Sequence, residues 1–497
     1  SSLFAASVSS STLMGHSGEG FISGIAVFNY NVGAIFVIIF VSLFFLPFYI
    51  KSGIYTIPEY LGRRFDNRSR KYFSFITIIG NVFLDAGAAL YTGALILKII
   101  FPEIDMMWII IGMALMAGTY TIIGGLSSAI NADMIQSIIL IAGSVLLSIF
   151  CFNSVGGWEN FVEHFHDGVW LNLIRPNSDT TVPWFSIFLS IPILGFYFWG
   201  NNQVIVQRVM SAKTVNEGRL GFLFVAFLYV FTLFIFIAPG MVGRMIDLFG
   251  VGDTLPNEII DGNTLRAQYG IDTNEVYPRL ILKLLPVGLI GVMIACMVSA
   301  LTSTLSATLS SVSTLFTMDF YKSWRPESSP RHLVRVGQWT SFIALVVAVL
   351  WAPLIGKFAS LVAYYQEFSS YLAPPIVGTF LVGLFWKGST RNGAFAGLMS
   401  GLAMSALIMT YKFGFGGVVP FHFLLWVPIL LILSVLVNII VSKCDRNKET
   451  DVETYTWNKS VWQDDTRELK TVPWYKNFRY ISIALIIIAL LEYWWFF

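Results

Sequence analysis

Charge is scarce in this chain. Only 12% of its 497 residues are Asp, Glu, Lys or Arg, against 56% hydrophobic and 16% aromatic, and the mean hydropathy is +0.71. That balance excludes an ordinary soluble domain, and a net charge of +2 is no argument for a nucleic-acid partner. Cysteine is nearly absent too. Cys151, Cys296 and Cys444 match no metal or disulfide spacing, which leaves them packing or bystander roles. There is no HExxH, no paired intramembrane Asp of the aspartyl-protease kind and no GxxxxGK followed by Ser or Thr, so a membrane enzyme is disfavoured. No polar block is large enough for a separate soluble domain, and the longest cytoplasmic stretch, about 443–476, is too short for an appended signalling domain. Residue 1 is Ser, with no basic flank or cleavage-site pattern behind it; the N-terminus reads as truncated.

What the chain has is apolar runs long enough to cross a bilayer as helices. Thirteen spans are expected, near 1–17, 29–50, 73–100, 105–124, 129–152, 184–202, 217–243, 278–316, 334–355, 360–386, 391–411, 420–442 and 478–497. The linkers test their alternation. Basic linkers carry Lys51, Arg63, Arg64, Arg68, Arg70 and Lys71, then Arg208, Lys213 and Arg219, then Lys322, Arg325, Arg331 and Arg335, then Lys387 and Arg391. All fall on one side, while the linkers at 153–183 and 245–276 are rich in acid, with Glu159, Glu163, Asp167, Asp253, Glu258, Asp261, Asp272 and Glu275. The positive-inside rule makes the basic side the cytoplasm and runs span 1 outward.

Two spans read as poor helices. In span 1, AASVSSSTLMGHSGEG crowds Ser and Gly; in span 6, SIPILGFYFWGNN puts Pro192 and Gly195 mid-span. Either kink alone is ordinary in a membrane helix, but the two lie five spans apart. Transporters built from inverted five-helix repeats break the first helix of each repeat and expose carbonyls to ions and substrate. The expected organisation is therefore a repeat at 1–152, an inverted copy at 184–386 and extra helices at 391–497. A channel would have no reason for matched broken helices. Span 8 adds hydroxyls at helical spacing: Ser299, Ser303, Ser306, Ser310, Ser313 and Thr317. Most of such a stripe is accounted for by bonds back to the carbonyl one turn earlier or by close packing. The adjacent pair Ser303 and Thr304 facing a broken helix suits a neutral oxygen shell for sodium, which a carboxylate-rich cage would hold too long.

The stretches YTIPEYLGRRF (55–65), YTIIGGLSSAINADMIQS (120–137), WGNNQVIVQR (199–208), SALTSTLSATLSSVSTLFTMDFYK (299–322), YQEF (365–368) and GLFWKGSTRNGA (383–394) resemble the sodium/solute symporters, in particular the sodium/glucose cotransporter branch that includes the bacterial sodium/galactose transporter. They run nearly end to end and in order. The resemblance implies an all-α polytopic protein of the LeuT-type inverted repeat, with fourteen helices in the family and the first missing here. It implies sodium-coupled symport at the plasma membrane, or the inner membrane of a bacterium. It assigns a sodium site to the backbone carbonyls of Ala5, Val8 and Ala300 with the hydroxyls of Ser303 and Thr304. Relatives that use two ions have a second site, which Asp133, Ser303 and Ser306 match here, although Ala307 stands where some of them keep a hydroxyl. Asp133 is equally a carboxylate favoured at a helix start.

By position, the sugar-binding residues fall on Ser7 and Thr12 in span 1, Asn31 in span 2, Asp85 in span 3, Gly195 in span 6, Tyr229 in span 7 and Gln366 in span 10; only Gln366 keeps the galactose transporter's residue. Phe198 takes the inner-gate position, between Tyr197 and Trp199; Trp199 and Tyr30 are further gate candidates, and His16, just outside this pocket, belongs to an outer gate or caps the helix end. Asp85 is ionisable in mid-membrane, at a cost of about 2.5 kcal/mol or more, and no basic residue lies a turn away. It is either hydrogen-bonded against a neighbouring helix or a solute ligand. As a ligand it would repel an anion and accept bonds from hydroxyls or an ammonium. The expected partners are thus sodium, the bilayer and a small neutral solute, a sugar or polyol; a carrier of amino acids or other nitrogenous solutes is the alternative that Asp85 keeps open.

Overall fold

The computed structural model describes residues 2–496 except 53, 55, 125, 167, 178, 180, 211, 213, 257, 418–420, 446–454, 458 and 470–471. Side chains at 2, 5, 6, 10, 51, 52, 120, 122–137, 207, 253, 413, 459–461, 464 and 468 are likewise outside the description. Each of the thirteen expected spans falls on helix. By length and composition, nine described helices can cross a membrane, or eleven if two bent pairs each count as one span. Several limits move. Span 1 continues to Ser23, and the run at 278–316 divides into Val276–Leu284 and Val287–Leu315. The cause is Pro286, which has no amide proton to continue the first helix and caps the second at φ −61°, ψ 151°. Span 7 bends by 49° between Val215–Val230 and Leu233–Met245.

Both expected breaks exist, but not where glycine and proline are densest. Span 1 runs as Ser2–Ser7 and restarts as Ser10–Ser23. Ser9 holds the restart as an N-cap: its hydroxyl accepts from the Thr12 amide at 3.3 Å, and its own amide donates to the Thr12 hydroxyl at 3.4 Å. The glycines downstream serve contact instead. A Cβ at Gly18 would lie 2.6 Å from the Thr273 carbonyl, and one at Gly20 would collide with the Ile237 carbonyl. In span 6 the helix kinks at Ser190, continues through Pro192 and Gly195, relaxes into a π turn at Tyr197–Asn201, and breaks at Asn202 (φ −71°, ψ 120°) before Gln203–Met210. Gly195 makes room for Val37, whose Cγ2 would stand 3.1 Å from an added Cβ.

The inner ends are tied by buried arginines. Arg64 donates to the carbonyls of Gly383 (3.0 Å), Trp386 and Ser389 (3.3 Å each), a cation placed at the negative end of span 10. Arg219 reaches the Ser42 carbonyl at 2.9 Å and pairs with Asp465 at 2.7 Å. Asp319, 1% exposed at the end of span 8, accepts from Arg70 Nε (2.9 Å), Arg70 Nη2 (2.5 Å) and the Ser74 hydroxyl (2.5 Å). Removing Asp319 leaves the buried Ser74 hydroxyl and the Arg70 guanidinium, whose side chain is 25% exposed, without their shared acceptor, at a cost of about 1–3 kcal/mol. Asp319→Ala should therefore lower the melting temperature of the solubilised protein markedly, and Asp319→Asn, which keeps an acceptor, much less; indistinguishable melts for wild type and Asp319→Ala would refute this role.

Candidate functional site

Where the two breaks meet, spans 1, 2, 3, 6, 7, 8 and 10 enclose a cavity of about 210 Å³. Every residue expected to bind solute lines it: Ser7, Thr12, Asn31, Asp85, Gly195, Tyr229 and Gln366. So do the four gate candidates His16, Tyr30, Phe198 and Trp199. Aromatic contacts shape the inner end. Trp199 is 2% exposed and meets the rings of Phe198 (5.2 Å) and Tyr229 (5.4 Å) edge-on, and Tyr229 meets Phe4 at 6.1 Å. The side chains of Leu361 and Val362 reach the cavity from the start of span 10, where a Cβ added at Gly15 of span 1 would lie 3.0 Å from Val362 Cγ2.

Asp85 is hydrogen-bonded to a neighbouring helix and also borders the cavity. Its carboxylate lines the cavity and accepts a hydrogen bond from the hydroxyl of Tyr365, the neighbour of Gln366 on span 10. The π turn at Asn81–Ala86 carries it, and one turn inward Asn81 donates to the Ser311 hydroxyl of span 8 at 2.9 Å. A second network joins spans 1, 2 and 7: His16 contacts the Thr12 carbonyl and Asn31 Oδ1 (2.9 Å each), Asn31 Nδ2 donates to Thr232 (2.7 Å), and Tyr229 bonds to Ser7. His16 is thus a wall residue of the cavity as well as a helix-backbone contact. Tyr365, Thr232 and Thr308 were not anticipated; Tyr365 and Thr308 stand next to, or one turn from, expected residues, and Thr232 is marked by being a hydroxyl at the bend of span 7.

The ion-site residues are partly within view. Ser7 and Ser9 beside the break and Thr304 and Thr308 of span 8 line the same cavity, and the Thr304 hydroxyl donates to the Ala300 carbonyl at 3.0 Å, setting two of the expected ligand oxygens side by side. Val8 lies in the unwound step, its amide bonded to the Phe4 carbonyl at 2.8 Å. Ser303 is half-buried and Ser306 1% exposed; the side chains of Ala5 and Asp133 lie outside the described residues. Two members of the hydroxyl stripe face span 9: a Cβ added at Gly337 would meet the hydroxyls of Ser313 and Thr317. The cavity is served by the adjacent row at 304 and 308.

A family model described as "SSF: Sodium:solute symporter family" matches residues 1–401. The chain belongs to the sodium:solute symporter family. It is 31% identical to the sodium/glucose cotransporter 1 of Oryctolagus cuniculus over 477 residues, covering 89% of this chain and 72% of that protein. It is 32% identical to the sodium/myo-inositol cotransporter 2 of Mus musculus over 431 residues, 83% of this chain and 63% of that one. Among solved structures, a Na+-coupled sialic acid symporter superposes with a TM-score of 0.73 at 23% identity, over 90% of this chain and 89% of its own. The fold is the LeuT-type arrangement, the protein is a multi-pass secondary transporter and not an enzyme, and sodium is its coupling ion.

Proposed function

We infer that this symporter imports a small neutral sugar or polyol with sodium across the plasma membrane, the inner membrane in a bacterium. The observation that carries the reading is that six polar side chains from five spans, Ser7, Thr12, Asn31, Asp85, Tyr229 and Gln366, converge on one cavity beside Thr304. Amide, hydroxyl and carboxylate groups walled by Tyr30, Phe198, Trp199 and Tyr229 make a lining that suits a polyhydroxy compound. Sodium takes the carbonyls of Ala5, Val8 and Ala300 and the hydroxyls of Ser303 and Thr304; Asp133, Ser303 and Ser306 are candidates for a second ion. The repeats at 1–152 and 184–386 alternate access by moving about the breaks at Val8–Ser9 and Asn202, and the helices after 391 brace them.

Each sodium moving inward releases about 1.4 kcal/mol per tenfold gradient and about 2.3 kcal/mol per 100 mV, together enough for roughly a 500-fold accumulation of solute per ion. Reconstituted protein should concentrate D-glucose or myo-inositol on a sodium gradient. Uptake that persists unchanged in potassium-only buffer would overturn the coupling. The carboxylate of Asp85 in the cavity favours one second reading, a solute that carries an amine.

A further inference from the structure

The network around His16 can be read proton by proton. The Thr232 hydroxyl donates to the Tyr229 carbonyl at 2.6 Å, so only its lone pairs remain for Asn31, whose Nδ2 donates to it at 2.7 Å. The amide of Asn31 is thereby fixed with Oδ1 towards His16 Nε2, at 2.9 Å. On the other side of the ring, Nδ1 lies 2.9 Å from the Thr12 carbonyl. Both ring nitrogens therefore face acceptors, and every contact is a hydrogen bond only when both carry a proton. With a neutral ring the network closes only if Asn31 turns over, giving its NH2 to Nε2 and its oxygen to Thr232, whose proton must then leave the Tyr229 carbonyl. Turning over exchanges the donor and acceptor that Asn31 has left to offer into the cavity.

We propose that His16 is a positioning residue for the solute: as an imidazolium it fixes the orientation of the Asn31 amide, and losing that proton reverses it. This rests on Asn31 being a solute ligand. Burial in the membrane opposes the charge. The titratable groups that share the cavity with the ring are Asp85 of span 3, Tyr365 of span 10, Tyr30 of span 2, Tyr197 of span 6 and Tyr229 of span 7; Glu19, one turn on along span 1, holds the Ser360 hydroxyl at the start of span 10. Two of these are carboxyls, and no Lys or Arg lines the cavity among the described residues; the case for the cation is the pair of acceptors facing the ring.

The ring can be observed directly. The chain has five histidines, so in nitrogen-15 histidine spectra of the solubilised protein the signal lost in His16→Gln belongs to His16. An imidazolium pattern at pH 7 is expected, and a neutral tautomer there overturns the proposal whatever the solute is. Uptake of myo-inositol or D-glucose then tests the consequence. Protonation supports the ordered amide, so the wild-type KM should rise about tenfold, the scale of one hydrogen bond, as pH climbs through the titration seen in the spectra. His16→Gln keeps an N–H near the Nε2 position and does not titrate, so its KM should stay flat; His16→Leu should show the high KM at every pH. A His16→Gln profile that tracks the wild type, or a His16→Leu KM equal to the low-pH wild-type value, overturns the proposal. If the wild type carries neither solute, it is the sugar and polyol reading that fails, and the spectra still decide the state of His16.

Discussion

Ser303→Ala and Thr304→Ala should each raise the sodium concentration for half-maximal uptake by about tenfold or more. A sodium ion in a neutral shell has few ligands, and a bond between a charged group and a hydroxyl contributes about 1.5–3 kcal/mol, so removing one oxygen is felt in full. Thr304 is the sharper case. Its hydroxyl borders the cavity and donates to the Ala300 carbonyl, which holds the two oxygens together, and an arriving ion can take the lone pairs of each. The substitution removes one ligand and frees the other to move. Ser310→Ala and Ser313→Ala are the controls. The Ser313 hydroxyl faces Gly337 of span 9, and neither Ser310 nor Ser313 lines the cavity that Thr304 borders. Sodium titrations of uptake in the four variants decide the matter, and equal shifts at all four would mean that the hydroxyls act only as a packing face.

The spans were legible because a bilayer demands continuous apolar helix, and the positions around the cavity were legible through motifs that the family shares. The placement of the breaks was not. Gly and Pro mark sites where a side chain cannot fit as readily as sites where a helix ends: Gly18 and Gly20 admit the Thr273 and Ile237 carbonyls, whereas the opening itself is made by Ser9, whose capping bonds to Thr12 are equally available to many Ser-rich stretches. Span 6 opens at Asn202, six residues beyond Phe196 and well past Pro192. The partners of buried polar groups were hidden for another reason. Asn31 meets Thr232, and Arg70 meets Asp319, across separations that only the packing of spans sets, and neither residue announces its partner in one dimension. Asp85 shows the same limit: a search for a cation one turn away finds nothing, because the group that answers it is the Tyr365 hydroxyl on span 10.

That hydroxyl makes Asp85→Asn the most discriminating substitution for the solute. Asn keeps a carbonyl oxygen for Tyr365 and for a solute hydroxyl, and removes only the charge. For a neutral sugar or polyol the loss should be moderate, the roughly 1–2 kcal/mol that separates a charge-assisted from a neutral hydrogen bond, which is about a five- to thirtyfold rise in KM at nearly unchanged sodium dependence. For a solute bearing an ammonium the same change deletes the counter-ion in a cavity of low dielectric, where stranding a buried charge costs about 3–5 kcal/mol, so transport should fall by about a hundredfold or more. The size of the loss therefore reports the charge of the cargo without its identity being known. Wild type and Asp85→Asn should be compared for uptake of a sugar and inositol panel against an amino-acid panel, with sodium affinity measured in parallel to separate a solute effect from a misfolded ion site. Moderate loss confined to the sugars or polyols is the expected result. Wild-type uptake restricted to amino acids defeats the polyol reading, and uptake restricted to acidic sugars defeats it too, because a carboxylate at position 85 would then face an anion for which Asn should be the better partner.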